Sequence, residues 1–136
     1  METYLSNRFN DILYNDQTSI LYHIVKPATS EMVEDDFKSM LIKWKAFAFK
    51  TPAKFFLIDT CKMQFAVSPD LQVWITEQIT APVIAEKRVN KICFVMPEEF
   101  VSKISMNQYI EEADRVSLDT QVKYVSDRAK AEEWLK

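Results

Sequence analysis

Short runs of apolar residues near the start of the chain predict a β-hairpin. The strand-like pattern begins at Tyr4 and contains two apolar runs, residues 11–14 and 18–25. The Asn-Asp-Gln segment between them, residues 15–17, favours a tight turn. The second run is apolar on both of its alternating faces, so we expect it to be a central strand that ends before Pro27.

A helical stripe follows over residues 30–49. Acidic residues crowd the start of this segment and lysines crowd its end, and both clusters complement the helix dipole. The pattern therefore predicts a long amphipathic helix that packs on the sheet through one face. The apolar side chains that recur with the helical period are Val33, Phe37, Met40, Leu41, Trp44, Phe47 and Ala48.

The chain is organised around a buried strand, residues 54–59, that ends in a single carboxylate. Four large apolar residues run together between Lys54 and Asp59, which is typical of a strand covered on both faces. In open α/β sheets the binding crevice lies beyond the carboxyl ends of the strands, so Asp59 is a candidate binding residue. Cys61 lies just past the end of the same strand and is also a candidate binding residue. A structural role for Asp59, accepting hydrogen bonds from helix N-termini, is the alternative.

A second helix is predicted to begin at Ser68. Serine is a preferred N-cap residue, and Pro69 is suited to the first helical position. Pro82 should stop or kink this helix. Asp70 and Gln72 lie on its first turn and, with Ser68, are candidate partner-binding residues. The apolar face consists of Leu71, Trp74, Ile75 and Ile79.

The remainder of the chain alternates between strands and helices. We expect a strand over residues 91–96, a helix from Pro97 that restarts at a capping box in residues 105–108, and a short strand over residues 121–125. Ser126 and Asp127 then cap a terminal helix, whose apolar face is Ala131, Trp134 and Leu135. The order predicts one α/β domain, residues 1–136, with a mixed sheet and parallel inner strands.

Composition excludes several classes of function. The chain contains no glycine, and phosphate-binding loops, dinucleotide fingerprints, esterase nucleophile turns and EF-hands all require it. Any left-handed turn must therefore use an asparagine or an aspartate, and Asn15, Asp16 and Asn90 are the main candidates. The net charge is −3, so no global field favours nucleic acid. No apolar run is long enough to span a membrane and the start of the chain lacks a signal peptide, so we expect a cytoplasmic protein.

No catalytic set is apparent, and we predict no enzymatic activity, no cofactor and no metal. His23 is the single histidine, and a lone histidine within a strand is most often a hydrogen-bonded structural residue. Without a second histidine or a Cys-x-x-Cys pair, a transition-metal site would lack its usual ligands. Cys61 and Cys93 are expected to be thiols, with Cys93 buried. An enzyme that uses Cys61 as nucleophile is the remaining catalytic alternative.

Four segments together resemble the SpoIIAA-like branch of the STAS-like domains. They are residues 55–59, 68–75, 91–100 and 122–135, of which the last, a strand followed by Ser-Asp and a helix ending Ala-x-x-Trp-Leu, is the most characteristic. The resemblance implies a mixed sheet with packed helices, related to anti-sigma-factor antagonists and to CRAL-TRIO lipid-binding domains. Such antagonists bind a kinase-like partner and are switched by phosphorylation of a serine in an Asp-Ser-Ser-Gly turn. Ser68 matches that serine by position, although Val-Ser-Pro-Asp replaces the turn.

Two functions follow from these considerations. The first is a non-enzymatic regulatory module that binds another protein, or a second copy of itself as a homodimer, through the surface around Asp59, Ser68 and the start of the second helix. Phosphorylation of Ser68 would act at a helix N-terminus, where negative charge is favoured. The alternative is a carrier or sensor of a small apolar ligand, suggested by the 12% aromatic content and by the kinship with lipid-binding domains.

Overall fold

A six-stranded mixed sheet forms the centre of the protein. The computed structural model describes residues 1–87, 89–95 and 120–136. Within these ranges the strands lie side by side in the order in which they occur in the chain. They are β1 (Glu2–Ser6), β2 (Asn10–Asn15), β3 (Ile20–Val25), β4 (Phe55–Asp59), β5 (Lys91–Val95) and β6 (Gln121–Val125).

The direction of the strands changes once across the sheet. The pairs β1–β2 and β2–β3 are antiparallel, and every pair from β3 to β6 is parallel. The predicted hairpin and the parallel inner strands are thereby confirmed. The additional strand β1 was not resolved from the sequence, because its turn depends on one side chain: Asn7 Oδ1 accepts the backbone N–H groups of Phe9 and Asn10 at 2.8 and 2.9 Å.

The left-handed residue of the hairpin is Ser19, with φ 60°, and not one of the asparagine or aspartate candidates. Asn15 instead contributes its side chain, since its Oδ1 accepts the Gln17 N–H at 3.0 Å. The Ser19 carbonyl accepts N–H groups from both Lys54 and Phe55, at 3.0 and 3.1 Å. These bonds to the start of β4 accompany the unusual backbone conformation of Ser19.

Among the described residues, the α-helices that pack on this sheet are α1 (Glu34–Lys50), α2 (Pro69–Ile75), α3 (Ala81–Lys87) and α4 (Arg128–Leu135). The helix α1 begins four residues later than expected, because a 3₁₀ turn over Pro27–Glu31 is followed by Met32 in an extended conformation. Asp36 accepts the Val33 N–H at 3.3 Å and so supports the start of α1.

A π-helical segment, Thr76–Thr80, joins α2 to α3. Pro82 has no N–H group to donate. It does not end the helical segment, but the backbone before it is not a regular α-helix, since the Ala81 N–H bonds to the Thr76 carbonyl, five residues earlier. The Gln78 carbonyl, four residues before Pro82, accepts a hydrogen bond from Lys45 Nζ of α1 at 2.7 Å. Lys45 therefore provides the donor for the Gln78 carbonyl that Pro82 lacks.

The two faces of the sheet have separate cores. Helices α1, α2 and α3 cover one face, where Ile12, Leu21 and Phe56 are fully buried. The short helix α4 covers the other face, over Tyr22 and Leu57. The second face has less helical cover among the described residues, so the attachment of α4 matters for its burial.

Polar bonds to the sheet hold α4 in place. Its N-cap is Asp127, whose carboxylate accepts the Lys130 N–H at 2.8 Å, as the sequence predicts. The Tyr22 hydroxyl donates to Glu132 at 2.6 Å, and Lys91 Nζ donates to the Trp134 carbonyl at 3.0 Å. Burial and the Glu132 carboxylate raise the pKa of Tyr22, so its hydroxyl remains a donor. The expected helix from Pro97 and the capping box at 105–108 lie outside the described residues.

Candidate functional site

Asp59 lies at the carboxyl end of β4, as expected, and is bonded to the chain itself. The residue is only 2% exposed. One carboxylate oxygen accepts from Arg128 Nε of α4 at 2.8 Å, and the other accepts the Cys61 N–H at 3.1 Å. Because the strand order does not reverse among the described strands, no switch-point crevice opens beside Asp59. Asp59 thus forms an ion pair with the side chain of Arg128, which differs from the predicted hydrogen bonds from helix N-termini, and a binding role for Asp59 stays a prediction.

The other predicted site residues lie on the first turn of α2. Ser68 is the N-cap and Asp70 is exposed. Gln72 is half-buried, and its Oε1 is buried without a hydrogen-bond partner in the described part of the chain. No hydrogen bond between described residues joins this turn to Asp59 or to the half-buried Cys61. The structure therefore brings Asp59 and Cys61 together, and leaves the serine turn as a separate group.

Removing the Ser68 cap is expected to lower the free energy of unfolding by about 1 kcal/mol, because Ser68 Oγ accepts the Leu71 N–H at 3.2 Å. Urea denaturation of Ser68→Ala measures this loss. Ser68→Asp should retain the cap and the stability, since aspartate caps as well as serine. Ser126→Ala, at an exposed position before α4, is the control and should change stability by less than about 0.5 kcal/mol. Equal stability of the two alanine variants would contradict the role of the cap.

An apolar cavity of about 60 Å³ lies between the sheet and helices α1 to α3. The π-helical segment and the strands β3, β4 and β5 all contribute to its wall. None of the described side chains that line it carries a charge at neutral pH. The lining residues are His23, Val25, Phe37, Leu41, Trp44, Phe56, Ile58, Thr60, Met63, Val67, Ile75, Ile79, Thr80, Val83, Ile92 and Phe94.

Two aromatic rings in the cavity wall each carry a buried polar atom that has no hydrogen-bond partner in the part of the chain that the structure describes. His23 of β3 and Trp44 of α1 are 1% and 6% exposed, and their rings stack at 5.7 Å between centroids. Within the described residues, neither His23 Nε2 nor Trp44 Nε1 has a hydrogen-bond partner. An unsatisfied buried polar group costs about 1–3 kcal/mol, so a pair of them in one wall needs an explanation.

The electrostatic state of this pair follows from burial. Burial lowers the pKa of His23 to about 3, so the imidazole is neutral at pH 7. A neutral imidazole nitrogen can accept a hydrogen bond, whereas the indole N–H can only donate one. The pair therefore matches a hydroxyl group, which can accept from Trp44 and donate to His23. Thr60, in the same wall, is already engaged because its hydroxyl donates to the Val95 carbonyl at 2.6 Å.

The described ranges contain no group of three or more His, Cys, Asp or Glu side chains placed to share a metal ion. No helix within the same ranges has both the length and the apolar character needed to cross a bilayer. Cys93 is fully buried, as the sequence predicts, and burial raises the pKa of its thiol to about 11.

The structure defines the class as a mixed α/β protein with helices on both faces of a six-stranded sheet. A scan against protein-family models and searches of curated proteins and of solved structures find no match to the chain. Membership of the STAS-like domains therefore stays a prediction from residue resemblance.

Sequence reasoning did not assign a binding role to either ring of this wall. Trp44 was placed correctly on the core stripe of α1, and His23 was expected to be hydrogen-bonded within its strand. One signal was present: His23 shares the period-two face of β3 with Leu21 and Val25, the face that the predicted helix covers. A void between packed elements has no counterpart in residue spacing, so the cavity could not be predicted.

Proposed function

We propose that the protein is a non-enzymatic binding module that holds a small, mainly apolar molecule with one hydroxyl group. The observation that carries this proposal is that Trp44 Nε1 and His23 Nε2, in a cavity wall whose described residues carry no charge, have no hydrogen-bond partner among those residues. Ligand pockets are commonly apolar, with a few polar groups that fix orientation. A hydroxyl would satisfy both orphan atoms at once, and the apolar wall would cover the rest of the molecule.

The volume sets the size of the ligand. An apolar cavity of about 150 Å³ accommodates benzene. This cavity measures about 60 Å³ and suits a molecule of the size of a short-chain alcohol. A long lipid tail does not fit into this volume. We therefore propose the small apolar ligand that the sequence gives as the alternative, and not lipid carriage of the CRAL-TRIO kind.

A regulatory role is compatible with this cavity. Ile75 and Ile79 line it, and the helical segment that carries them begins at the Ser68 turn. We place the predicted protein partner, or a second copy of the chain, at that turn, where occupancy of the cavity could be transmitted through α2. The proposed partner at the Ser68 turn is supported by the sequence arguments. The same arguments support STAS-like membership and a cytoplasmic location. Light scattering of the purified protein with and without 1-propanol tests self-association.

Titration of the ¹⁵N-labelled protein with 1-propanol tests the binding site. We expect the indole N–H resonance of Trp44 to shift in a saturable manner. In Trp44→Phe the affinity should fall by about 2- to 12-fold, equivalent to the loss of one neutral hydrogen bond of about 0.5–1.5 kcal/mol. Native mass spectrometry of the protein as purified would then seek a bound molecule of matching size.

The matched control is Trp74→Phe. Trp74 is half-buried on α2, lies under Lys38 Nζ at 5.0 Å, and does not line the cavity. Its replacement should leave the affinity for 1-propanol unchanged. Equal effects of the two substitutions would contradict the proposal. So would an ordered water that bridges Trp44 and His23 and is not displaced by 1-propanol, because the pair would then be hydrated structure.

A further inference from the structure

A second concavity, the N-terminal cleft, lies between the first half of α1 and the turn that joins β1 to β2. Its volume is about 290 Å³, several times that of the apolar cavity. Unlike the cavity, it combines apolar and charged side chains and shares no lining residue with it. The lining residues are Leu5, Asn7, Phe9, Asn10, Met32, Asp36, Ser39, Met40 and Lys43.

Asn10, in the lining of the N-terminal cleft, carries a buried acceptor that has no hydrogen-bond partner among the described residues. Asn10 is 2% exposed, and its Nδ2 and backbone N–H both donate to Asn7 Oδ1, at 3.4 and 2.9 Å. Its own Oδ1 is buried and has no hydrogen-bond partner in the described part of the chain. Buried amide oxygens are normally bonded, so this atom calls for a donor such as an N–H group.

The lining of the N-terminal cleft contains two opposite charges, Asp36 and Lys43. Asp36 and Lys43 are seven residues apart on α1, about two turns, so they share one helix face at a separation of about 10 Å along the axis. Both side chains are exposed. Lys43 forms no ion pair within the described ranges, and Asp36 accepts a hydrogen bond from the Val33 N–H.

We propose that the N-terminal cleft binds a short peptide of about three residues through its two charged termini. An extended tripeptide spans about 10 Å, which matches the distance between Asp36 and Lys43 along α1. Its ammonium group would face Asp36, its carboxylate would face Lys43, and a peptide N–H would donate to Asn10 Oδ1. A central apolar side chain would pack on the Phe9 and Met40 side chains.

The test is isothermal titration with the tripeptide Ala-Leu-Ala, carrying free termini. We expect Asp36→Asn and Lys43→Gln each to weaken binding by up to about 5-fold, the usual range for exposed ion pairs. The acetylated and amidated tripeptide should bind more weakly than the free one by a larger factor, because it lacks both terminal charges. The side-chain amide resonances of Asn10 should shift on binding of the free peptide.

Matched controls come from the same helix. Asp35→Asn and Lys50→Gln remove exposed charges of α1 that do not line the N-terminal cleft, and they should leave the affinity unchanged. Three results would each overturn the proposal. They are equal effects of the control and cleft variants, equal affinity for the blocked and the free peptide, and no binding at peptide concentrations of about 10 mM. Titration with 1-propanol in the same variants reports on the apolar cavity independently, so failure at one site is distinguishable from failure at the other.

Discussion

Phe56→Ala is expected to lower the free energy of unfolding by about 3–5 kcal/mol. Phe56 is fully buried in the central strand β4, and its ring meets Trp44 edge to face, with 5.3 Å between centroids and 82° between planes. The substitution removes the ring from the wall of a cavity that already exists, so neighbouring side chains cannot close the space cheaply. Urea denaturation at pH 7 measures the loss.

The enlarged cavity should then bind benzene. Deletion of a phenyl ring brings the existing void towards the volume of about 150 Å³ that accepts benzene. Benzene at ten times its dissociation constant should restore about 1.4 kcal/mol to Phe56→Ala by mass action. Leu57→Ala is the control, because Leu57 is equally buried but faces α4 on the opposite side of the sheet. It should lose about 2–5 kcal/mol and regain less with benzene, since no void adds to the deletion.

An unchanged stability of Phe56→Ala would show that the ring does not support the packing around the cavity. Equal recovery of both variants with benzene would show that the site near Trp44 has no void of its own. Either result would remove the basis of the small-ligand proposal, because that proposal requires an uncharged space beside the indole of Trp44.

The architecture was largely predictable because its main elements have strong local signals. The stripe of α1, the apolar run of β4 and the Ser68 and Asp127 caps each specify an element from neighbouring residues. What failed were features that depend on distant partners. In the π-helical segment before Pro82, the Gln78 carbonyl accepts a hydrogen bond from Lys45 of α1, and no local pattern near Pro82 indicates that contact.

The functional site was less predictable than the fold. Asp59 is predicted to bind a ligand because a carboxylate at a strand end often faces one, and the sequence does not indicate its hydrogen bond from Arg128, 69 residues later. His23 and Trp44 are ordinary core positions in the sequence. They are candidate binding residues because His23 Nε2 and Trp44 Nε1 have no hydrogen-bond partner among the described residues. The sequence does not show which neighbours surround an atom, so a missing partner can be recognised only in the folded structure. Asn10 in the N-terminal cleft and Gln72 on α2 are further cases of the same kind among the described residues.

Acid is expected to destabilise the protein through its single histidine. Burial lowers the pKa of His23 to about 3, whereas an unfolded histidine has a pKa of 6.5. Below pH 6.5 the unfolded chain therefore binds a proton that the folded protein does not, and stability falls as the pH falls. Between pH 7 and pH 5 this linkage amounts to about 2 kcal/mol. The described residues around the cavity offer no carboxylate that could hold the charged imidazole.

His23→Leu separates this effect from general acid sensitivity. The variant should lose the dependence of stability between pH 7 and pH 5, as measured by urea denaturation at both values. At pH 7 it should be as stable as the wild type or more stable, because an apolar side chain replaces a buried nitrogen without a partner. It should also bind 1-propanol more weakly, since the acceptor for the hydroxyl is gone. A gain in stability together with a loss of binding is expected where a polar group is kept for a ligand and not for the fold. A variant that is less stable at pH 7, with the pH dependence of the wild type, would show that His23 has a bonded structural role.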